Sequence, residues 1–327
     1  MKKLLLSLFT IFILAACGDV DAPAEPETEP TTENITVFTT VFPLQYFAER
    51  IGGEFVDVQS VYPAGANEHT FEPTQRDMIA IADADLLFYV GLGLEGFIDN
   101  AKKTLEGEQV EFISTADSFS DEALETASHS HDEEEEHGHD DHGHGEGHEG
   151  HDHNGVDPHV WMSPVLSASL AESIKDALVE AAPEHSEAFD SNFAELQIEL
   201  EALHLSFLDL ADRLDGGTFF VSHAAFGYIA EPYGFEQVAV AGLNSQDEPS
   251  QKELTAIIEQ AEEKGIEHIV FEQNVSSNLT EVVQKEIGAK AVMMHNLGVL
   301  TQEDIKNEET YFTLMEHNLA TLEEVLR

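Results

Sequence analysis

The stretch FDSNFAELQIELEALHLSFLDLADRLDGG, Phe189 to Gly217, divides the chain into two halves of the same kind. Within it Phe189, Phe193, Leu196, Leu200, Leu203, Phe207, Leu210 and Leu214 recur at spacings of four and three. That period predicts one apolar seam along a long helix, with Pro183 near its start and Gly216-Gly217 at its end. A coiled-coil dimer would use the same seam. Because the seam runs for only about four heptads and lies mid-chain, a helix packed against its own two lobes is favoured. Such a helix would be stiffer than a loop and would limit hinge motion.

Outward from the helix, short apolar runs alternate with helical patterns on both sides. Before it, strands are expected at Ile35–Phe42, Val56–Tyr62, Leu86–Val90 and Val110–Ile113, with helices near Leu44–Ile51, Gln75–Ala82 and Gly96–Leu105. After it, strands are expected at Phe219–Ser222, Val238–Ala241, His268–Phe271 and Ala291–Met294. A helix at Gln251–Lys264 opens on a capping box, Ser250 with Glu253, and stops at Gly265. Strands alternating with helices give parallel sheets. The expected fold is therefore α/β: a parallel-sheet lobe over 35–183, a linking helix over 184–215 and a second such lobe over 216–327.

Composition narrows the partners. Among 327 residues, 14 Lys+Arg stand against 65 Asp+Glu, a formal charge of −51, so nucleic acid is not an expected partner. With 42% hydrophobic residues the chain is still one that folds. A single cysteine excludes an internal disulfide, a CxxC pair and a multi-thiolate zinc knuckle. That cysteine, Cys17, follows Met1-Lys2-Lys3, an apolar run and Leu14-Ala15-Ala16. The pattern reads as a signal peptide over 1–16, and Leu-Ala-Ala-Cys resembles the bacterial lipobox, in which the thiol is lipidated. A plain signal peptide with an incidental cysteine is the alternative. Residues 17–34, rich in Pro, Glu and Thr, read as a lipidated N-terminus and flexible tether.

Residues 129–153 hold nine of the 17 histidines and ten acids, with no Lys, Arg, aliphatic or aromatic residue. No core can form from such a segment, so it reads as a solvated loop. Imidazole and carboxylate at this density suit zinc, held weakly at several sites, whereas a merely soluble insert would not call for nine imidazoles.

Of the other histidines, His185, His204 and His317 fall on helical patterns and His268 opens a strand, all readings of packing or surface. His69 follows the strand Val56–Tyr62, His223 follows Phe219–Ser222, and His159 lies in Asp157-Pro158-His159-Val160-Trp161. In open α/β sheets ligands collect at the carboxyl ends of strands. Each of these histidines alone is as readily structural as functional; their joint placement points to a site.

Four ordered segments carry a family resemblance: Gly65-Ala66-Asn67-Glu68-His69-Thr70-Phe71-Glu72-Pro73-Thr74, Asp157-Pro158-His159-Val160-Trp161-Met162-Ser163-Pro164, Ser222-His223-Ala224-Ala225-Phe226-Gly227-Tyr228 and Glu248-Pro249-Ser250. From Ile35 to Arg327 the chain resembles the zinc-specific solute-binding lipoproteins of bacterial ABC importers (the cluster A-I type). The resemblance implies two α/β lobes bridged by a long rigid helix, with one tight Zn²⁺ in the cleft between them. It places metal ligands on His69, His159 and His223. Manganese-binding relatives carry a carboxylate where this chain has His223, which favours zinc. Many zinc members supply a fourth carboxylate where this chain has Gly298, and some with glycine there carry Glu directly before the first histidine, as Glu68 stands here. The fourth donor is then Glu68, a water or His295. The resemblance further implies a monomer at the outer face of the plasma membrane, lipid-anchored through Cys17, with a membrane permease as partner.

The donor chemistry agrees. Zinc takes imidazole nitrogen at about 2.0–2.1 Å in a tetrahedral arrangement. Copper would bind as tightly by intrinsic order, so selectivity would rest partly on availability. Histidine must be deprotonated to ligate, so affinity is expected to fall below about pH 6. The function that follows is a receptor that captures Zn²⁺ for import and performs no reaction. Two alternatives stand beside it. One is a zinc-dependent hydrolase using three histidines and a water, against which no HExxH motif supplies a general base. The other is a metal-buffering surface adhesin.

Overall fold

The apolar seam finds its partners on both sides. The computed structural model describes residues 34–119, 156–275 and 277–327. Cys17, the segments 1–16 and 17–33, and the histidine-rich loop 129–153 lie outside the described residues.

The first lobe contains β1 (Ile35–Thr39), α1 (Phe42–Gly52), β2 (Val56–Ser60), α2 (Gln75–Ala82), β3 (Leu86–Tyr89), α3 (Ile98–Thr104) and β4 (Glu111–Ser114). Two helices follow, α4 (Pro164–Ala181) and the long α5 (Ser186–Leu214). The second lobe holds β5 (Gly217–His223), α6 (Gly227–Ala230), β6 (Phe235–Ala241), α7 (Gln251–Lys264), β7 (His268–Glu272), α8 (Asn278–Ile287), β8 (Lys290–Met294), α9 (Gln302–Lys306) and α10 (Tyr311–Val325).

Both sheets are parallel and four-stranded, ordered β2-β1-β3-β4 and β6-β5-β7-β8. In each, the chain winds outward one way from the first strand and the other way from the third. The crevice at the carboxyl ends of that central pair is where open α/β sheets bind ligands.

Seven seam residues of α5, Phe189, Phe193, Leu196, Leu200, Leu203, Phe207 and Leu210, are buried, and Leu214 is half-buried. Each buried side chain contributes roughly 1.5–3 kcal/mol over an exposed one. The helix packs on α1, α4 and the C-terminal α10, and Phe207 meets Tyr233 of the second lobe at 5.1 Å between ring centroids. It ends at Asp215 in the left-handed conformation, φ 52°. Tyr311, at the start of α10, crosses back to the first lobe: its ring packs edge-on to Phe47 of α1, and its hydroxyl donates to the Trp161 carbonyl at 2.9 Å.

Strand ends differ from the expectation where polar or imino groups intervene. The run Ile35–Phe42 stops at Thr39 because Pro43 opens α1, its fixed φ already suited to a first helical turn. The strand from Val56 stops at Ser60, whose Oγ accepts the Tyr62 N–H at 3.1 Å and turns the chain. β6 starts earlier than Val238, its first turns of sequence disguised by Glu236-Gln237 on an edge strand. The Ser250–Glu253 capping box forms with both reciprocal bonds, and Gly265 ends α7 at φ 65°.

Candidate metal centre

His223 is the last residue of β5, at the crevice between β5 and β7. β5 and β7 pair in parallel with Val221 opposite Val270, and continuing that register sets His223 beside Glu272, the last residue of β7. Glu272 lies against the His223 Nδ1 at 2.6 Å and also accepts from Ser222 Oγ and the His223 N–H. Both side chains are fully buried.

His159 enters from the segment before α4. Asp157 Oδ1 accepts the His159 backbone N–H at 2.9 Å and the ring Nδ1–H at 2.7 Å, so one carboxylate bends the chain and fixes the ring. Trp161 packs beside the His159 ring at 5.3 Å and donates its indole N–H to the Asn296 carbonyl at 2.7 Å. Ser163 then caps α4, with Pro164 in its first turn. His69 sits in the loop after β2, where Asn67 Oδ1 accepts its backbone N–H at 3.0 Å and Asn67 Nδ2 reaches Ser245 of the second lobe.

The three rings turn their Nε2 atoms on one point. His159 Nε2 stands 3.2 Å from His69 Nε2 and 3.3 Å from His223 Nε2. Donor atoms of the three residues all lie within 4.8 Å of one another, a group that can hold a metal ion. Four ligands at 2.0–2.1 Å in a tetrahedron stand about 3.3–3.4 Å apart, so two edges of the triad match zinc geometry. Two nitrogen lone pairs facing at such distances repel unless a proton or a metal ion lies between them. With Nδ1–H held by a carboxylate, His159 and His223 each expose Nε2 as the free donor, the arrangement by which carboxylates orient metal-binding imidazoles.

Burial, and then the neighbouring imidazoles, lower the His69 pKa to about 3, which keeps its ring neutral. For His223 burial also favours the neutral ring, but the charge and hydrogen bond of Glu272 outweigh it and the pKa is raised. Burial favours the acid form of Glu272, yet the His223 charge and hydrogen bonds from His223 and Ser222 win, and the carboxyl titrates below its usual range.

Among the described residues the group of donors within 4.8 Å comprises the three histidines, and Glu68 is not in it. Glu68 is 2% exposed. Its Oε1 accepts from Asn296 Nδ2 at 3.0 Å, whereas Oε2 is buried with no hydrogen-bond partner among the described residues. Burial, with the Glu272 charge adding, pushes the carboxyl above its ordinary range against a backbone hydrogen bond and the His159 and His223 rings. A Cβ on Gly298 would stand 2.6 Å from Glu68 Oε1, so glycine at 298 is what gives Glu68 its space. His295 is turned elsewhere: Nδ1 faces Gln273 and accepts the Leu297 N–H, and Nε2 faces Asp304 at 3.2 Å. His185 stacks on Phe55 and His204 meets the Tyr233 hydroxyl, both packing roles.

Sequence reasoning missed Glu272, Asp157 and Asn296. A usable signal existed for the first, since Glu272 ends an apolar run just as His223 does.

Two parallel-sheet lobes with three imidazoles converging between them define a two-lobed solute-binding protein with a metal-capable centre. Over residues 37–325 the chain matches the ZnuA model, zinc-uptake complex component A, periplasmic, and it belongs to that family. It is 34% identical over 288 residues to the zinc-binding protein AdcA of Streptococcus pyogenes serotype M3, covering 88% of this chain and 55% of the relative. The chain thus spans little more than half the length of that relative. To the high-affinity zinc uptake system protein ZnuA of Bacillus subtilis it is 31% identical over 314 residues, 96% of this chain and 94% of the relative. Among solved structures, the Zn(II)-bound ZnuA-like domain of Streptococcus pneumoniae AdcA superposes with a TM-score of 0.71 at 29% identity, covering 90% of this chain and 99% of that one.

Proposed function

We propose that this protein is an extracytoplasmic receptor that captures Zn²⁺ and delivers it to an ABC permease for import, without catalysing a reaction. His69, His159 and His223 supply three nitrogens and Glu68 Oε2 the fourth donor. The observation that carries the reading is the convergence of three Nε2 atoms, two of them oriented by buried carboxylates. A second support is the buried oxygen of Glu68 that has no partner among the described residues, which a bound cation would satisfy. The relatives' names as zinc-binding and zinc-uptake proteins agree with the cargo.

In this reading residues 1–16 are removed, Cys17 carries the lipid, and 17–34 tether a monomeric globule to the outer face of the plasma membrane. The loop 129–153 collects further ions weakly and raises the local zinc concentration. Growth of cells lacking this protein in zinc-depleted medium tests the proposal. The wild-type chain should restore growth and His159→Ala should not; restoration by the variant would contradict it. Ester or phosphoester hydrolysis by the zinc-loaded protein would point to the hydrolase instead.

A further inference from the structure

Asn296 stands between two buried carboxylates. Its Nδ2 donates to Glu68 Oε1 at 3.0 Å and to Glu272 Oε2 at 3.1 Å. Its Oδ1 accepts from the Gly298 N–H at 3.0 Å and from Gln273 Nε2 at 2.8 Å. The reverse amide orientation would set an oxygen against two carboxylates and an NH₂ against two donors, so the network admits one orientation. Asn296 is 1% exposed, and Trp161 anchors its carbonyl. The amide therefore has a fixed position and spends both N–H groups on acids, one beside the proposed cargo and the other behind His223.

We propose that Asn296 determines metal selectivity by holding Glu68 to a single free oxygen. This rests on Glu68 being the fourth donor. With Oε1 accepting from the amide, Oε2 is the oxygen left without a partner among the described residues, and three nitrogens plus that oxygen would make four ligands. Four-coordinate tetrahedral geometry suits zinc. Manganese prefers more oxygen ligands and higher coordination. Released from Asn296, the carboxylate can offer both oxygens, and the centre opens to five-coordination. The same amide also holds Glu272, so the two acids are kept apart by one rigid group rather than by solvent.

Two variants test this. Asn296→Asp keeps the acceptor toward the Gly298 N–H and removes the donor; Asn296→Ala removes both. The readouts are competitive titration of Zn²⁺ against Mn²⁺ and the visible absorption of the Co²⁺-loaded protein, which reports coordination number independently of affinity. The wild type should show a tetrahedral Co²⁺ spectrum. In the variants that spectrum should change to the weaker bands of higher coordination. Zinc affinity should fall about 10–100-fold, in the range seen when partners of metal ligands are removed, and the Zn²⁺/Mn²⁺ preference should narrow by about tenfold. Glu68→Gln should change the Co²⁺ spectrum, and adding Asn296→Ala to it should leave the coordination number read from that spectrum unchanged, since the amide sets it through that acid. Affinity should fall further through the lost Glu272 contact. If Glu68→Gln leaves the spectrum of the wild type, Glu68 is not a donor, and the fourth-donor assignment and this inference fall together while capture by the three histidines stands. If Glu68→Gln acts while both folded Asn296 variants keep the wild-type spectrum and preference, this inference alone is overturned.

Discussion

Gly298 and Glu68 share one space: a Cβ at 298 would lie 2.6 Å from Glu68 Oε1 and 2.7 Å from its Cδ. The two residues belong to different lobes and are brought together where the segment after β8 is bonded to the first lobe, with the Gly298 carbonyl accepting the Phe42 N–H at 2.9 Å and that of Leu300 the Gly65 N–H at 2.9 Å. A glycine in the second lobe thereby permits an acid in the first.

Gly298→Ala should displace the Glu68 carboxylate from beneath Asn296. Overpacking of this kind costs about 1–3 kcal/mol. Thermal unfolding of the metal-free variant should show that loss, and calorimetry should show weaker zinc binding. Unchanged zinc affinity would mean that Glu68 takes no part in binding.

The pH dependence of binding should follow His223 rather than His69. With its pKa lowered to about 3, His69 is neutral well below physiological pH. The His223 pKa is raised, so its proton competes with zinc at and above the ordinary histidine value near 6.5. Since Nδ1 keeps its hydrogen for Glu272, it is Nε2 that must give up a proton. Zinc binding near neutral pH should therefore release protons, measurable as a dependence of binding enthalpy on buffer ionisation, and affinity should already be falling as pH drops towards about 6.5, through the raised His223 value. In Glu272→Gln the proton release near pH 7 should shrink.

Stability of the metal-free protein carries the same signs. The raised His223 pKa contributes stability that is complete below about 6.5 and lost as pH rises through the folded value. The lowered Glu272 pKa contributes stability present above about 4.5 and lost as pH falls through its folded value. The pair therefore stabilises most between those limits. His69 opposes it there, because its lowered pKa makes folding less favourable as pH falls below 6.5. Glu272→Gln should accordingly lose more stability at pH 5.5 than at pH 8, as read by chemical denaturation at the two pH values.

The chain has a single tryptophan, Trp161, whose indole packs on His159 and bonds to Asn296. Its fluorescence should change on zinc addition and saturate at one equivalent. Deleting residues 128–154 should leave that change intact if, as proposed, the loop and the centre bind separately.

Much of the architecture could be read from the sequence because burial imposes a period on it. The spacing of Phe189 to Leu214 survives intact in α5, and Leu196→Ala, at a fully buried position, should cost about 2–5 kcal/mol, whereas Ile198→Ala, 71% exposed two residues away, should cost little. The histidines were legible through their context at strand ends and turns. The groups that orient them were not, because those depend on which strands are neighbours. Glu272 lies 49 residues from His223 and Asn296 lies 228 residues from Glu68. Only the sheet order, with β7 beside β5, and the closing of one lobe on the other bring these partners within reach. Asp157 stood in plain view beside His159, but its bond to Nδ1 is a matter of local turn geometry, invisible in a list of residue types.

Calorimetric titration of Zn²⁺ into the wild type, His223→Ala and the 128–154 deletion, side by side, tests the central claim most directly. One tight event, lost in His223→Ala and kept in the deletion, with weak events lost only in the deletion, is the predicted result. Tight binding that survives His223→Ala, or disappears with the loop, would contradict it.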